Sequence, residues 1–545
     1  MAAGLLGLLF VAHAVHLRAV TDDAYISFHF ARHLATGLGL AWKEGDPPLE
    51  GYSNFLWVIL HSLAYRAGLS LETTSLVLGL AAGLGVVAFA FAFARRWFGS
   101  TAPSTLFVMM WLVACGPLAA WSAGGLETSL FALFLLGGTY YTGSYARRGA
   151  TRDLARTTAF FFLSCLTRPE GIGGTGIVLL ASTHWWPSAK GSARDGIRRA
   201  TRGRLWLASA LGVLVPFAIY TFWRVSYFGS LLPNTFHAKT GGGADHLLRG
   251  ARYLVYFARD YVLPLALLII VLALLDRAAR RPPARPAAAG DVARRFEMRL
   301  LLALTVVFGA YIAVVGGDYM PMYRFLVPLV APIALLAAAA AAALGGGALA
   351  TRGRRTTAAL AAVLALGLTF HHSTPLERDT FGKPPLLEGT YRGVRLQRWN
   401  TARLSHIGRF FHDYSRVPGE TIAARGVGAI AYFSNLPVID VLGVVDPHIA
   451  RRPSDRQTLR ESPPGHEKRD WPYVLDLEPT YIVLKSRLKP TPLPVESITS
   501  DMGPEEVERV RREYDVVAVW VDDPVTHESG YFSFLERRGS RPPAH

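Results

Sequence analysis

Two adjacent acids, Asp22 and Asp23, follow the first apolar run of the chain, residues 3–20, after Thr21. A carboxylate that enters membrane hydrocarbon costs about 2.5–3.5 kcal/mol, so this pair must face water or a cavity. Neighbouring acids repel each other, which raises the pKa of one of them. Such a carboxylate can act as a general base. A solvated helix terminus is the alternative interpretation of either acid taken alone.

The same loop carries a second polar group in EGYSNFLW, residues 50–57. Acid, amide, hydroxyl and aromatic side chains occur together there, and ligand sites combine aromatic walls with a few polar groups. The residues that we assign to substrate binding in this loop are Tyr25, Glu50, Tyr52 and Asn54. For Trp57, an aromatic belt at the membrane interface is the alternative.

Two short turns between apolar runs each carry an acid, GLET at 125–128 and RPEG at 168–171. We assign Glu127 and Glu170 to substrate binding, and Arg168 to a donor phosphate. A turn with a local ion pair, which contributes little when exposed, is the alternative for Arg168 and Glu170.

Cations just above the membrane could hold a lipid phosphate. Lys239 in LPNTFHAK and Arg324 in GGDYMPMYRF could do so through charge-assisted hydrogen bonds. The alternative for Arg324 is a side chain that snorkels at the end of a span. The polar neighbours that we assign to substrate binding are Asn234, His237, Asp318 and Tyr319.

A last polar cluster extends from Arg425 to Arg451. Its Gly-Val-Gly at 426–428 is an incomplete nucleotide-binding fingerprint and a weak signal. We assign Asp446 and His448 in this cluster to substrate binding.

Apolar runs that alternate with Arg-rich gaps must position these clusters. Half of the 545 residues (51%) are hydrophobic, which predicts many membrane spans. The formal charge of +17 comes mostly from Arg in the short gaps, so the positive-inside rule explains it without a nucleic-acid partner. Cys115 and Cys165 both lie in apolar runs, which excludes a disulfide framework and a Cys-based zinc site.

The pattern predicts about 11 transmembrane helices. Their predicted positions are 3–20, 73–94, 103–121, 126–145, 157–167, 171–186, 205–225, 261–275, 300–316, 323–343 and 356–370. Five of the gaps between these helices are basic, at residues 95–96, 147–156, 190–204, 277–299 and 352–355. With a cytoplasmic N-terminus, all five basic gaps fall on the cytoplasmic side, and every polar cluster described above faces outward. This parity holds only when the apolar run 54–68 lies in the membrane interface instead of crossing the membrane.

After residue 370 the sequence becomes charged and Pro-rich. Short β-type runs at Thr421–Ala424, Pro437–Leu442, Tyr481–Lys485 and Val516–Val521 predict an α/β domain. The fold class is therefore a polytopic α-helical membrane protein, residues 1–370, with an extracytoplasmic α/β domain, residues 371–545.

As a set, the motifs DDAYISFHFAR, EGYSNFLW, GLET, RPEG, LPNTFHAK, GGDYMPMYRFLVP and VIDVLGVVDPHIAR resemble the GT-C superfamily of glycosyltransferases. Within it they resemble the family of the mycobacterial terminal β-(1→2)-arabinofuranosyltransferase. The resemblance implies transfer of a sugar, arabinofuranose in that branch, from a polyprenyl phosphate to an envelope glycan or surface protein outside the cytoplasmic membrane. It also implies that Asp22 or Asp23 is catalytic. His29 and His237 depart from the family pattern, which bears on sugar specificity.

The implied reaction requires no nucleotide or redox cofactor. A divalent metal is possible because acids are abundant, although no His/Cys spacing demands one. Two other function classes remain open. A transporter or lipid flippase would carry ionisable groups in mid-span, and a glycan-binding scaffold would tolerate the loss of both acids.

Overall fold

The computed structural model describes residues 2–100, 102–186, 195–239, 243–277, 289–344, 352–374, 391–415, 417–453, 466–523 and 527–540. Up to residue 374 the regular structure in the described residues is helical. The helices of this part are α1 (Ala2–His16), α2 (Asp22–Thr36), α3 (Phe55–Arg66), α4 (Leu71–Phe98), α5 (Pro103–Ala114), α6 (Gly116–Trp121), α7 (Thr128–Arg148), α8 (Thr151–Thr167), α9 (Ile172–Trp185), α10 (Asp195–Ser209), α11 (Val215–Phe228), α12 (Asn234–Lys239), α13 (Gly243–Phe257), α14 (Leu263–Arg277), α15 (Ala289–Val314), α16 (Val327–Leu344) and α17 (Arg352–His371).

Five helical segments are long and apolar enough to cross a membrane. They are Leu71–Phe98, Ala200–Phe228, Gly243–Ile270, Val292–Val314 and Arg324–Ala343. Shorter apolar helices cover Gly4–His16, Pro103–Ala114 and Thr356–His371. Large apolar side chains such as Leu8, Phe222 and Leu360 are exposed along these helices, as expected for a surface in contact with lipid. The chain is therefore a multi-pass membrane protein, and the count of eleven spans stays a prediction.

Two helices extend well beyond the predicted spans. A π-helical turn at Ala210–Leu214 joins α10 to α11, and another at Ala258–Val262 joins α13 to α14. The sequence prediction placed 226–260 in a loop, yet α13 begins at Gly243. This helix is amphipathic, and charged residues such as Arg249 lower its hydropathy enough to hide its helical pattern.

The first predicted outward loop contains two helices, α2 and α3. Helix α3 coincides with the apolar run that we placed in the membrane interface. Trp57 on this helix is fully buried, and its indole N–H donates to the carbonyl oxygen of Gly125 at 3.2 Å. The aromatic-belt interpretation of Trp57 is therefore wrong, because a belt residue lies at the lipid surface.

A five-stranded sheet lies in the C-terminal region, by which we mean residues 391–540. Its strands are β1 (Ile422–Ala424), β2 (Val438–Asp440), β3 (Tyr481–Val483), β4 (Tyr514–Asp522) and β5 (Ser529–Arg537), in the order β2-β1-β3-β5-β4. Strand β1 pairs in parallel with β2 and β3, and β5 pairs antiparallel with β3 and β4. The four predicted strands are present, and β5 is an additional one. The boundary at residue 370 stays a prediction.

The C-terminal region also contains six helices among its described residues. They are α18 (Tyr391–Tyr414), α19 (Val427–Ser434), α20 (Pro447–Ala450), α21 (Trp471–Asp476), α22 (Val495–Ile498) and α23 (Pro504–Glu513). Helix α19 packs against both α18 and α2. This packing places the carboxyl ends of β1, β2 and β3 next to the start of α2, where Asp22 and Asp23 lie.

A closed ion-pair network lies at the opposite end of α4 and α7. The Glu297 carboxylate is completely buried and accepts hydrogen bonds from Arg96 at 2.6 Å, Arg147 at 2.8 Å and the Trp97 indole at 2.6 Å. Glu297 lies on α15, within a segment apolar enough to cross the membrane. The sequence prediction started this span at residue 300, so it missed the buried acid.

Candidate functional site

The Asp22 carboxylate links the start of α2 to the start of α19 through hydrogen bonds. One carboxylate oxygen accepts a hydrogen bond from the backbone N–H of Ala429 at 2.8 Å, and the other accepts one from Gly428 at 3.3 Å. An acid is favourable at this place because a helix N-terminus carries unpaired N–H groups and a partial positive charge. Burial nevertheless raises the pKa of Asp22 to about 7, with a further contribution from Asp23.

Gly428 makes this close approach possible. A Cβ atom on Gly428 would collide with the backbone oxygen of Asp22 and would lie 2.9 Å from the backbone nitrogen of Ile26. The N–H groups that could hold a nucleotide phosphate at this turn instead bind the Asp22 carboxylate. Gly428 of the Gly-Val-Gly at 426–428 therefore acts in docking α19 on α2.

The Asp23 carboxylate has a different environment, although it is the next residue. Its Oδ1 accepts a hydrogen bond from the hydroxyl of Tyr319 at 3.0 Å, and its Oδ2 lies 3.8 Å from a guanidinium nitrogen of Arg324. The side chain remains 27% exposed. Burial, reinforced by the charge of Asp23, raises the pKa of Tyr319, so this hydroxyl stays protonated and can donate. Asp23 is thus oriented by two partners and still open to a ligand.

Arg324 is held rigidly beside Asp23. Its guanidinium makes two hydrogen bonds to Asp318, at 2.6 and 2.9 Å, and it is only 5% exposed. The preceding residues Met322 and Tyr323 have φ values of 56° and 47°, which residues other than glycine rarely adopt. The Tyr323 hydroxyl donates to the buried carboxylate of Asp260 at 2.6 Å. A snorkelling role for Arg324 does not fit this buried, bidentate geometry.

Asp23 lies between two cavities. We call the smaller one, of about 60 Å³, the helix cavity, because its walls come almost entirely from the helical part of the chain. The predicted site residues that line it are Asp23, Tyr52, Asn54, Glu127, Arg168 and Arg324. Arg168 donates to Glu127 at 2.7 Å and to Glu170 at 2.5 Å. The side-chain N–H of Asn54 also donates to Glu127, at 2.8 Å.

The larger cavity, of about 340 Å³, opens toward the sheet, and we call it the sheet cavity. The predicted site residues that line it are Asp22, Asp23 and Tyr319. Its opposite wall comes from the carboxyl ends of the three parallel strands. Polar residues of this cavity that the sequence prediction did not assign are Gln397, Asn400, Arg425, Asp440, His466, Arg469 and Ser486. The available signal was position, because ligands of open parallel sheets bind outside the carboxyl ends of the strands.

Four predicted site residues stabilise the cavity walls without lining either cavity. Glu50 forms a buried ion pair with Arg224 at 2.7 Å. The side-chain N–H groups of Asn234 donate to the backbone oxygens of Gly443 and Val444, both at 2.9 Å, and Val444 lines both cavities. Glu170 and Asp318 act through the arginines that they pair with. These four residues position the walls and do not line either cavity.

The remaining predicted residues lie away from both cavities. The Tyr25 hydroxyl donates to Glu72 at 3.4 Å. Asp446 accepts from the backbone of Ile449 at 3.0 Å and caps α20. His448 lies 2.8 Å from the carboxylate of Asp470.

His237, on α12, lines neither cavity. The backbone oxygen of His237 accepts from Lys468 at 2.7 Å. Lys239 ends α12, and its side chain lies outside the described part of the chain. Within the described ranges, no group of three or more His, Cys, Asp and Glu residues could hold a metal ion. The divalent metal that the abundance of acids suggested stays a prediction.

The sequence is similar to that of a mycobacterial enzyme. It is 28% identical over 349 residues to the terminal β-(1→2)-arabinofuranosyltransferase of Mycobacterium tuberculosis, a match that covers 58% of this chain. The chain spans about half (52%) of the length of that relative. A model of a domain of unknown function (DUF8728) matches residues 391–536, which is nearly the whole C-terminal region.

Solved structures share the fold over almost the entire chain. ArnT from Cupriavidus metallidurans bound to undecaprenyl phosphate superposes with a TM-score of 0.55 at 13% identity and covers 99% of this chain and 98% of its own. The oligosaccharyltransferase AglB from Archaeoglobus fulgidus, in complex with an inhibitory peptide and a dolichol phosphate, gives a TM-score of 0.50 at 11% identity. It covers 100% of this chain and 75% of its own. The chain therefore has the fold of the GT-C membrane glycosyltransferases and resembles the mycobacterial terminal arabinofuranosyltransferase, as its motifs predicted.

Proposed function

We propose that this chain transfers a sugar from a polyprenyl-phosphate donor to an acceptor hydroxyl, with Asp23 as the reacting carboxylate. One observation carries the proposal: Asp23 alone among the acids of the site lines both cavities while being oriented by Tyr319 and by the cation Arg324. A group with access to two adjoining cavities can act on a donor in one and an acceptor in the other.

In this proposal, the helix cavity binds the donor phosphate. Arg168 and Arg324 both line it. Their fixed guanidinium groups match the geometry of phosphate oxygens. Glu127, Glu170 and Asp318 hold the two arginines in place. Charge stabilisation of the leaving phosphate therefore requires little rearrangement at the moment of reaction.

In this proposal, the sheet cavity binds the acceptor. The acceptor oxygen forms a bond to the anomeric carbon of the sugar, and the bond from that carbon to the phosphate oxygen breaks. The phosphate leaves with the electron pair as polyprenyl phosphate, and the hydroxyl proton passes to Asp23. The phosphate is already a good leaving group, so the chain contributes mainly positioning and electrostatic stabilisation.

We propose arabinofuranose as the sugar, with an envelope glycan or a surface protein as the acceptor. The similarity to the mycobacterial arabinofuranosyltransferase supports this choice of sugar. The undecaprenyl phosphate bound to ArnT supports a polyprenyl carrier. A competition between decaprenyl-phosphoryl arabinofuranose and other polyprenyl-phosphoryl sugars tests the choice, and preferential use of another sugar would contradict it.

The test of the reaction class is a product measurement. Purified chain in lipid nanodiscs is incubated with a polyprenyl-phosphoryl sugar and an envelope glycan acceptor, and released polyprenyl phosphate is quantified. The proposal predicts release that depends on acceptor. Movement of intact donor between leaflets without release would favour the transporter or flippase alternative. Glycan binding without either event would favour the scaffold.

We further propose that the C-terminal region lies outside the cytoplasm of a cell with this chain in its cytoplasmic membrane. The parity of the five basic gaps supports this orientation. A reporter that is active only in the cytoplasm, fused after the last residue, should be silent, and the same reporter fused at the gap 147–156 should be active. A strong signal from the C-terminal fusion would contradict the orientation.

A further inference from the structure

The sheet cavity lies at the point of the parallel sheet where ligands are expected. Strand β1 lies between β2 and β3, so the chain leaves β1 for one neighbour and later returns to the other. Ligands of such sheets bind in the crevice outside the carboxyl ends of the strands, at this change of direction. Arg425 directly follows β1 and lines the cavity at this place.

Close to the end of β1, the cavity is lined by two arginines that share one acid. Arg425 and Arg469 both pair with the same acid, Asp501, which is 3.6 Å from Arg469. Lys485 adds a third cation to the cluster, and burial together with the charge of Arg425 lowers its pKa. Among the described residues, three cations thus face one carboxylate. Asp501 does not line the cavity, whereas both arginines do.

The two arginines also retain unused hydrogen-bond donors. The Nε–H groups of Arg425 and Arg469 are buried and make no hydrogen bond among the described residues, although Asp501 lies within ion-pair distance of both side chains. Buried donors of this kind are normally paired, and each one in a folded protein calls for a partner. A guanidinium with a free Nε–H edge is suited to a carboxylate or a phosphate.

The acids of the same cavity do not compete for these donors. The Asp440 carboxylate accepts hydrogen bonds from the backbone N–H groups of Leu442 at 2.8 Å and Val445 at 2.9 Å. The Asp22 carboxylate is bound by the backbone of α19 in the same way. Backbone donors thus compensate Asp440 and Asp22, and the third acid of the cavity, Asp23, is oriented by Tyr319 and Arg324. None of these three acids pairs with Arg425 or Arg469, so both arginines can bind an external anion.

We propose that the sheet cavity is specific for an acidic glycan, whose carboxylate or phosphate binds Arg425 and Arg469 while a hydroxyl of the same or the next sugar reaches Asp23. This inference rests on the proposed function for the identity of the reacting group. The cavity volume of about 340 Å³ is at the lower end of small-molecule sites, so the acidic group and the reacting hydroxyl lie within a few sugar units of each other. The amides of Gln397 and Asn400 line the same cavity and suit sugar hydroxyls.

A matched pair of probes tests the charge preference without any need for turnover. Methyl glucuronoside and methyl glucoside differ only in a carboxylate in place of a hydroxymethyl group. Titration of each into the full chain in nanodiscs, followed by ligand-observed NMR, should give about tenfold or more tighter binding of the glucuronoside. Equal affinities would overturn the proposal.

Variants assign the preference to the two arginines. Arg425→Gln and Arg469→Gln should each remove most of it, whereas Arg425→Lys and Arg469→Lys should retain much of it because the charge remains. Arg512→Gln, at an exposed position of the same region, is the matched control and should have no effect. A preference that survives both Gln substitutions in folded protein would overturn the assignment.

Two further measurements separate this inference from the proposed function. Binding of polyprenyl phosphate should be unchanged in Arg425→Gln and Arg469→Gln, and a selective loss of that binding would assign the arginines to the donor and overturn the inference. Polyprenyl phosphate release is measured on the same preparations. Release without a charge preference contradicts only the acidic acceptor, and a charge preference without release contradicts only the proposed reaction.

Discussion

The two ends of the membrane helices each place arginines around an acid, but only one end leaves the acid open. At the end of α4 and α7, Glu297 is fully buried and has three hydrogen-bond donors within 2.8 Å. At the other end, Asp23 is 27% exposed, lines two cavities, and lies 3.8 Å from the nearest guanidinium.

The difference shows how similar residue types serve different purposes. A closed ion pair in a low-dielectric interior has no capacity left for a ligand, and its loss leaves a buried charge uncompensated. An oriented acid beside a cavity keeps capacity for a proton or a developing charge. We therefore assign the Glu297 network to stability and the Asp23 group to chemistry, and the following predictions test that division.

The largest expected effect is on Asp23. Asp23→Asn should lower sugar transfer by about 10²-fold or more, because an amide cannot accept a proton or supply full negative charge. Asp22→Asn is the matched neighbour and should lower transfer much less, since its carboxylate is bound by the backbone of α19. Initial rates of polyprenyl phosphate release, at equal amounts of folded protein, measure both. Near-normal transfer by Asp23→Asn would place the chemistry elsewhere.

Disruption of the ion-pair network around Glu297 should lower the stability of the fold and leave the activity unchanged. Glu297→Gln leaves Arg96 and Arg147 without a counter-charge and should lower the free energy of unfolding by about 3–5 kcal/mol. Sugar transfer per folded molecule should stay close to wild type. Thermal unfolding in nanodiscs reports the stability, with the exposed Glu505→Gln as control. An unchanged unfolding temperature would show that this network does not stabilise the fold.

A smaller effect is expected for the donor side of the site. Arg324→Ala should weaken use of the donor by about 10- to 150-fold, the equivalent of about 1.5–3 kcal/mol for a hydrogen bond to a charged group. Use of the acceptor should change less. Separate kcat/KM values for donor and acceptor measure this, with the exposed Arg152→Ala as control. Unchanged donor affinity and turnover would leave Arg324 with a structural role only.

The smallest effect concerns the pH dependence of docking between α2 and α19. Burial raises the pKa of Asp22 from 3.8 to about 7, so the folded state binds this proton more tightly than the unfolded state. Its contribution to stability is therefore present below about pH 4 and is lost as the pH rises to about 7. Asp22→Asn should remove a dependence of about 2 kcal/mol between pH 5 and 7.

Unfolding temperatures of wild type and Asp22→Asn at several pH values measure this contribution. Asp413→Asn, at an exposed position on α18, is the control. Identical pH profiles for wild type and Asp22→Asn would show that Asp22 titrates alike in the folded and unfolded states.

Local patterns in the sequence predicted much of the fold and part of the site. Four of the five strands and the helix at 54–68 follow from hydrophobic periodicity, and the acids at 22–23 were recognisable from their place after an apolar run. The role of Asp22 was not recognisable from the sequence, because its partners Gly428 and Ala429 lie about 400 residues away. Only packing of α19 on α2 distinguishes the two acids.

The sheet cavity was also beyond prediction from local patterns. Arg425 and Arg469 meet because β1 carries the first arginine to the edge of the sheet and the chain preceding α21 carries the second. The sequence contains many arginines, most of them in the gaps between apolar runs, so residue type alone did not single these out. The tertiary contact with a shared acid identifies them.

The position of a bound donor phosphate tests the central claim most directly. A cryo-EM map of the chain in nanodiscs with polyprenyl phosphate would locate that group relative to Asp23. We predict that the phosphate occupies the helix cavity, within about 4 Å of the Arg324 guanidinium, the distance of an ion pair, with Asp23 facing it. A phosphate bound with Arg324 and Asp23 both remote from it would contradict the assignment of this cavity to the donor and of Asp23 to the reaction.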